Sequence, residues 1–229
     1  MPNTNKQNYS VVIPAAGTGT RFGADVPKQY VGINGRPVLQ HTIEFFLSLP
    51  FVGKIFVALN HNDTHWLSLP FIEDGRVVAL EGGETRAHSV LNALTKISTI
   101  EPAEHWVLVH DACRPYISLD EVQRLVNLAI KSDVGGLLAI PSTDTLKRVQ
   151  DGLVMETVSR ETIWRAQTPQ MFRLGMLRDA LTKALVANFA VTDEASAIEY
   201  VGLQPIVVEG SVNNKKITFS EDVYENAID

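Results

Sequence analysis

Arg21 and Lys28 follow a run of small residues, Pro14-Ala15-Ala16-Gly17-Thr18-Gly19-Thr20, that comes straight after the apolar segment Val11-Val12-Ile13. Small side chains let successive backbone N–H groups turn toward one ligand, and such a concave nest binds phosphate oxygens. The two cations add positive charge where a triphosphate would lie. A second cluster, His110-Asp111-Ala112-Cys113-Arg114-Pro115, follows Trp106 to Val109, a run that reads as a strand. Asp111 then stands at the C-terminal end of that strand, where ligands gather in open α/β sheets. A carboxylate placed there beside a triphosphate is a natural Mg²⁺ ligand, because Mg²⁺ takes one or two carboxylates plus phosphate oxygens. In a third cluster, Gly82-Gly83-Glu84-Thr85-Arg86-Ala87-His88-Ser89, a loop opens a helix whose N-terminus suits an anion or a polar base edge. The shared chemistry is the handling of phosphate groups.

Two common phosphate loops do not fit the first run. A dinucleotide loop needs G-x-G-x-x-G/A, but Phe22 holds the third small position and no acidic residue closes the next strand. A Walker loop needs Gly-Lys-Ser/Thr after four variable residues, and the run lacks it.

The elements that must position these residues alternate along the chain. Val11–Ile13, Lys54–Leu59, Arg76–Leu80, Trp106–Val109 and Gly136–Ile140 read as strands. Ala87, Val90, Leu91, Leu94 and Ile97 fall at helical spacing, as do Val122, Leu125, Val126, Ala129 and Ile130. Ser118-Leu119-Asp120-Glu121 carries a capping-box signature before the second set. This alternation predicts a mostly parallel sheet flanked by helices. After Pro141 the rhythm changes: Thr145–Val149, a turn at Asp151-Gly152 and Leu153–Val158 form a hairpin, placed on an arm spanning residues 142–168. An isolated two-stranded hairpin is marginal in water, so the arm should pack on something else. Met176–Val186 resumes helical spacing, Ile206–Val208 is a late strand and Glu221–Ile228 a terminal helix. Without a linker or repeat, residues 1–229 read as one domain with an arm.

The chain has 229 residues, 45% apolar and 20% charged, enough for a packed core. Its formal net charge of −6 argues against coating nucleic acid, though not against a small anion held by a few placed cations. One cysteine, Cys113, excludes an intramolecular disulfide and a Cys-rich zinc site; being itself small and apolar, it reads as a packing residue. His110 reads as a satisfied strand-end histidine. The polar start of the chain lacks the apolar core of a signal peptide, and no run approaches the roughly 18 apolar residues of a membrane span. A reducing, cytoplasmic setting is the expectation.

Pro27-Lys28-Gln29-Tyr30 adds a specific match. A-A-G-x-G-x-R followed by P-K-Q-Y resembles the signature of the sugar-phosphate nucleotidyltransferases, and the Q-Y continuation narrows it to the methylerythritol phosphate cytidylyltransferases. H-D-A-x-R-P, the arm pattern P-x-x-D-T-x-K, the Arg before W-x-x-Q-T-P-Q, T-D-E-A-S and N-x-K-x-T follow in the family's order. The resemblance implies a Rossmann-like, mostly parallel sheet of nucleotide-diphospho-sugar transferase type with an inserted β-hairpin arm, and cytidylyl transfer from CTP to methylerythritol 4-phosphate with a divalent metal such as Mg²⁺. It implies Arg21, Lys28 and Lys216 on the triphosphate, with Pro14, Ala15, Ala16, Gly17, Thr18, Gly19, Gly83, Glu84, Ser89 and Ala112 around the nucleotide. Asp111 would hold the metal and Arg114 the acceptor phosphate. Thr145 and Arg160 would reach across a homodimer to the acceptor of the neighbouring subunit, and Thr192 would lie near it. Glu84 stands where the family usually has Asp. Ribitol 5-phosphate transfer is the alternative within this chemistry, and a non-catalytic nucleotide-binding protein the alternative outside it. Thr192 also reads, from its neighbours alone, as a helix N-cap with acidic residues in the first turn.

Overall fold

The computed structural model describes residues 8–17, 26–71, 73–218 and 222. Thr18, Gly19 and Arg21 of the small-residue loop lie outside the described residues, as does the terminal helix expected at 221–228 apart from Asp222.

Strands β1 (Tyr9–Pro14), β4 (Val52–Leu59), β5 (Val77–Glu81), β6 (Trp106–Val109), β7 (Gly135–Pro141), β10 (Trp164–Arg173) and β11 (Ile206–Glu209) form one sheet in the order β11-β7-β10-β6-β1-β4-β5. All neighbours are parallel except β10, which runs antiparallel to both β6 and β7. Helices α1 (Val38–Ser48) and α3 (Leu119–Ala129) join the core on one face; α2 (Arg86–Ile97), α4 (Leu174–Val186) and α5 (Glu194–Tyr200) join that on the other. The period-2 alternation of a strand divides β1 between these cores. Val11 and Ile13 face the first, Val12 the second, and all three are fully buried.

From β1 the chain winds outward to β4 and β5, then returns to the other side of β1 as β6. The C-terminal end of β1 is therefore a switch point, the place where a crevice opens in such sheets. His110 N–H donates to Val12 O at 2.9 Å, so the residues after β6 leave the sheet beside those after β1.

The short strands β2 (Gly32–Ile33) and β3 (Arg36–Pro37) pair with each other, as do β8 (Leu146–Gln150) and β9 (Leu153–Val158). The expected hairpin is thus present. Its turn residues Asp151 (φ 50°) and Gly152 (φ 79°) both occupy the left-handed region that a tight two-residue hairpin demands. The arm is shorter than expected, however. Trp164, Arg165 and Ala166 pair with β7, so residues 164–168 belong to the main sheet. α1 and β10 are additional to the expected elements. Ser118 does form a capping box with Glu121 ahead of α3, whereas the N-cap of α5 is Asp193 and not Thr192: the Asp193 side chain accepts from Ser196 N–H, and Ser196 returns the bond. No helix among the described residues is long and apolar enough to cross a membrane.

Candidate active site

The crevice is walled by three loops, each at the C-terminal end of a parallel strand. The first continues β1 through Ala15, Ala16 and Gly17. The second, after β5, comes close to it: a Cβ on Gly82 would sit 2.5 Å from the Ala16 Cβ, and one on Gly83 2.4 Å from the His88 Cβ. Glycine at these positions lets two backbones and a helix start meet. Ser89, 1% exposed, fixes this corner, its hydroxyl accepting from Gly83 N–H at 3.0 Å and donating to Thr85 O at 3.0 Å. Thr85 caps α2, whose positive end faces the crevice.

The third loop follows β6. Burial pushes the pKa of His110 down to about 4, against smaller opposing effects of the Arg114 carbonyl and Asp111. Its hydrogen bonds agree with a neutral ring. Nε2 lies 3.0 Å from Arg114 O, which only accepts, so Nε2 carries the proton and Nδ1 accepts from the Thr168 hydroxyl at 3.1 Å. Thr168 Oγ1 then accepts from Asp111 N–H at 3.0 Å. The histidine is a strut that locks the backbone of Asp111.

The Asp111 carboxylate meets three cations. Its Oδ1 accepts from Arg86 Nε at 2.9 Å; its Oδ2 lies 2.8 Å from Lys216 Nζ and 3.4 Å from Arg114 Nε. Burial alone would raise its pKa, but these cations hold it far below the usual carboxylate range. Arg86 in turn grips the fully buried Glu194, Nη1 to Oε1 at 2.6 Å and Nη2 to Oε2 at 3.1 Å. Burial would lower the pKa of Arg86, but Glu194 and Asp111 outweigh it and raise it.

Lys216 owes its place to Asn214, which is fully buried and donates to Thr168 O at 2.9 Å. Arg114 Nη1 donates to Asn214 O at 2.6 Å, and Ile217 N–H to Cys113 O at 2.8 Å. Cys113 itself is buried, and burial pushes its thiol up to about 11, so it packs and does not attack.

Of the residues singled out by sequence, Pro14, Ala15, Ala16, Gly17, Lys28, Gly83, Glu84, Ser89, Asp111, Ala112 and Lys216 line one cavity. A neighbouring cavity takes in Arg114 and Thr192 together with Gln167, Thr168 and Gln170. Arg86, Asp111 and Lys216 line both, so the two share a wall. Thr145 and Arg160, both exposed, line neither; Arg160 Nη1 donates to Thr143 O at the root of the arm.

The sequence matches a family model along residues 9–227: that of 2-C-methyl-D-erythritol 4-phosphate cytidylyltransferase. The chain belongs to this family. A 2-C-methyl-D-erythritol 4-phosphate cytidylyltransferase of Pseudomonas fluorescens is 49% identical over 217 residues, covering 94% of this chain and 92% of its own. Among solved structures, the Francisella tularensis 2-C-methyl-D-erythritol 4-phosphate cytidylyltransferase superposes with a TM-score of 0.82 at 42% identity, covering 95% of this chain and 97% of that one. The Thermus thermophilus enzyme of the same name does so with a TM-score of 0.76 at 31% identity, covering 95% and 96%. The family resemblance noted from the motifs and the nucleotidyltransferase fold therefore hold.

Sequence reasoning misses two members of the site. Arg86 and Glu194 stand out only as parts of their motifs, Glu194 as a first-turn acid within T-D-E-A-S, and neither is given a role. Their contact spans 108 positions, which local spacing cannot reveal.

Proposed function

We propose that the chain transfers the cytidylyl group of CTP to 2-C-methyl-D-erythritol 4-phosphate, releasing pyrophosphate, in the non-mevalonate route to isoprenoid precursors. The observation that carries this reading is the pair of cavities meeting at Arg86, Asp111 and Lys216. A transfer between two bound phosphates needs two anion sites divided by a wall that stabilises the charge passing between them.

The nucleotide occupies the cavity of the small-residue loop, with Lys28 and Lys216 beside its phosphates and Gly83, Glu84 and Ser89 toward the base and ribose. Arg21, outside the described residues, completes the cationic set. The acceptor occupies the second cavity, its phosphate near Arg114 and Thr192. A phosphate monoester has a second pKa near ~6 and is largely ionised at neutral pH. It therefore needs no general base, in keeping with a His110 locked as a neutral strut. An acceptor phosphate oxygen bonds to the α-phosphorus, the α–β bridging P–O bond breaks, and pyrophosphate leaves with that electron pair. Positioning and electrostatic stabilisation do the work.

A divalent ion fits this donor set in one way. No group of three His, Cys, Asp or Glu side chains is gathered among the described residues, and Glu194 is taken by Arg86. Mg²⁺ would be held by Asp111 together with phosphate oxygens and water, with Lys216 and Arg114, which now contact Asp111 Oδ2, turning to the phosphates. Bound there, it would neutralise charge on the nucleotide phosphates.

The arm completes the reading. β8 and β9 pair only with each other among the described residues, and Val149, Leu153, Val154 and Met155 are 56–69% exposed. Such a hairpin gains stability on a second subunit, which supports a homodimer in which Thr145 and Arg160 serve the neighbour's acceptor. A cytoplasmic location accords with a lone buried thiol.

The test is pyrophosphate release with CTP, UTP, ATP and GTP, each offered methylerythritol 4-phosphate and ribitol 5-phosphate. Release confined to CTP with methylerythritol 4-phosphate is expected. A preference for ribitol 5-phosphate, or nucleotide binding without turnover, would overturn the assignment.

A further inference from the structure

Gln29 lies in the most specific motif of the chain, yet the reaction gives it no part. It is 3% exposed, between Lys28, which lines the nucleotide cavity, and Tyr30, whose hydroxyl donates to Asp63 Oδ2 at 2.8 Å. The three residues form a single 3-10 turn closed by Tyr30 N–H on Pro27 O at 2.8 Å. Asp63 is fixed in its turn, accepting from the N–H groups of His65 and Trp66. The turn is thus anchored from one side by Tyr30.

From the other side, Gln29 Nε2 donates to Ala15 O at 2.8 Å and to Gly17 O at 3.2 Å. Both partners are carbonyls, which only accept, so the amide nitrogen must face them and each of its two protons is used. Left to themselves, these carbonyls are negative dipole ends in a loop that has to meet phosphate oxygens. In a trans peptide the C=O and the following N–H point in opposite directions. Drawing the Ala15 carbonyl onto the amide therefore turns the Ala16 N–H away from Gln29. Ala15 N–H is already committed to Ala58 O at 2.8 Å, so the residue is held at both ends.

We infer that Gln29 is a positioning residue for nucleotide binding: its side-chain amide holds two carbonyls of the small-residue loop out of the phosphate site and presets the loop for the triphosphate. This rests on the nucleotide assignment made above. It also accounts for the adjacency of Lys28 and Gln29, since one short turn delivers a cation to the phosphates and a clamp to the loop that surrounds them.

The test uses Gln29→Glu and Gln29→Met in the full chain, with KM for CTP and for methylerythritol 4-phosphate and calorimetric CTP binding measured beside the wild type. Methionine keeps the length and removes both donors. Glutamate faces two carbonyls with an acceptor until it takes up a proton, which restores one donor. Losing these bonds frees the two carbonyls to turn toward the phosphates, which should raise the CTP KM and Kd by about tenfold or more. The acceptor KM should stay within about twofold. For Gln29→Glu, the CTP defect relative to wild type should shrink as pH falls from 8 to 6. A folded variant with wild-type CTP KM, an equal rise in both KM values, or loss of the fold in both variants would overturn the role. Absence of wild-type turnover in the same assay would instead refute the underlying reaction.

Discussion

Replacing Arg86 by methionine should cost folding free energy and nearly all turnover, and adding Glu194→Leu should return most of the first and none of the second. Arg86 is the one contact of the described structure that joins the nucleotide loop, the Asp111 turn and the start of α5. Its removal strands Glu194, whose side chain is 1% exposed, without the two N–H donors that hold it. Breaking a buried pair from one side typically costs ~3–5 kcal/mol. The Arg86 side chain is 28% exposed, which places the expectation at the lower end. About 3 kcal/mol corresponds to a fall in Tm of about 6–12 °C for a chain of this size. Exchanging both partners for apolar side chains is often neutral, because the desolvation cost disappears with the charges. The double variant should therefore regain much of the lost stability, short of wild type because Asp111 Oδ1 stays without its Arg86 donor. Asp111, however, would keep only Lys216 and Arg114, and its Oδ1 would lose the bond that orients it toward both cavities. Urea unfolding and steady-state turnover on the two single variants and the double variant decide the matter. Turnover that recovers in step with stability would refute the clamp, and a double variant as unstable as Arg86→Met would refute the burial reasoning.

Lys28→Ala should lower kcat by at least about a hundredfold, the scale of a lost preorganised charge, with little change in Tm; wild-type turnover would remove Lys28 from the phosphates. Arg160→Ala should raise KM for methylerythritol 4-phosphate while leaving KM for CTP unchanged, and an unchanged acceptor KM would dissociate the arm from the acceptor. Stability should also fall with acid in a defined window. The unfolded chain protonates His110 near pH ~6.5, whereas the folded protein resists until about 4. The neutral ring thus contributes fully above the unfolded value and loses on the order of 3 kcal/mol as pH falls between the two. Asp111, depressed by its cations, adds a further loss below about pH 4, its unfolded value. A urea midpoint that stays flat from pH 7.5 to 4.5 would contradict this.

The parallel half of the sheet was legible because its strands are buried on both faces and read as unbroken apolar runs, as in Val11-Val12-Ile13 and Trp106 to Val109. β10 was not. Gln167, Thr168 and Gln170 interrupt it with polar side chains, yet these are only 1–5% exposed. They are inside because they bond the site: Thr168 to Asp111, Gln170 to Asp193, Gln167 to Ser211. A strand whose polar residues are recruited by function loses the period that would reveal it. α1 does carry a readable signal, since Val38, Leu39, Thr42, Ile43 and Phe46 are buried at helical spacing. The cap of α5 is ambiguous in sequence because Thr192 and Asp193 are adjacent and equally competent to cap; what selects Asp193 is its second bond, from Gln170.

The same contrast explains why, within the motif strings, the residues that line the cavities are easier to assign than the partners that hold them. Lys28, Asp111, Arg114 and Lys216 sit in short strings whose composition is peculiar to the task. Glu194, Asn214, His110 and Thr168 stand in such strings too, but each acts through bonds to another site residue and has an ordinary local reason to be where it is. Glu194 looks like a first-turn acid of α5 and Asn214 like a turn residue, while His110 looks like a strand-end histidine. Their function lies in being buried: an exposed Glu194 would leave Arg86 free to swing onto a phosphate, whereas a buried one commits both of its Nη atoms. Arg86 thereby becomes fixed positive charge in the wall between the two cavities. That role belongs to neither residue alone, so no property of either position in the sequence announces it.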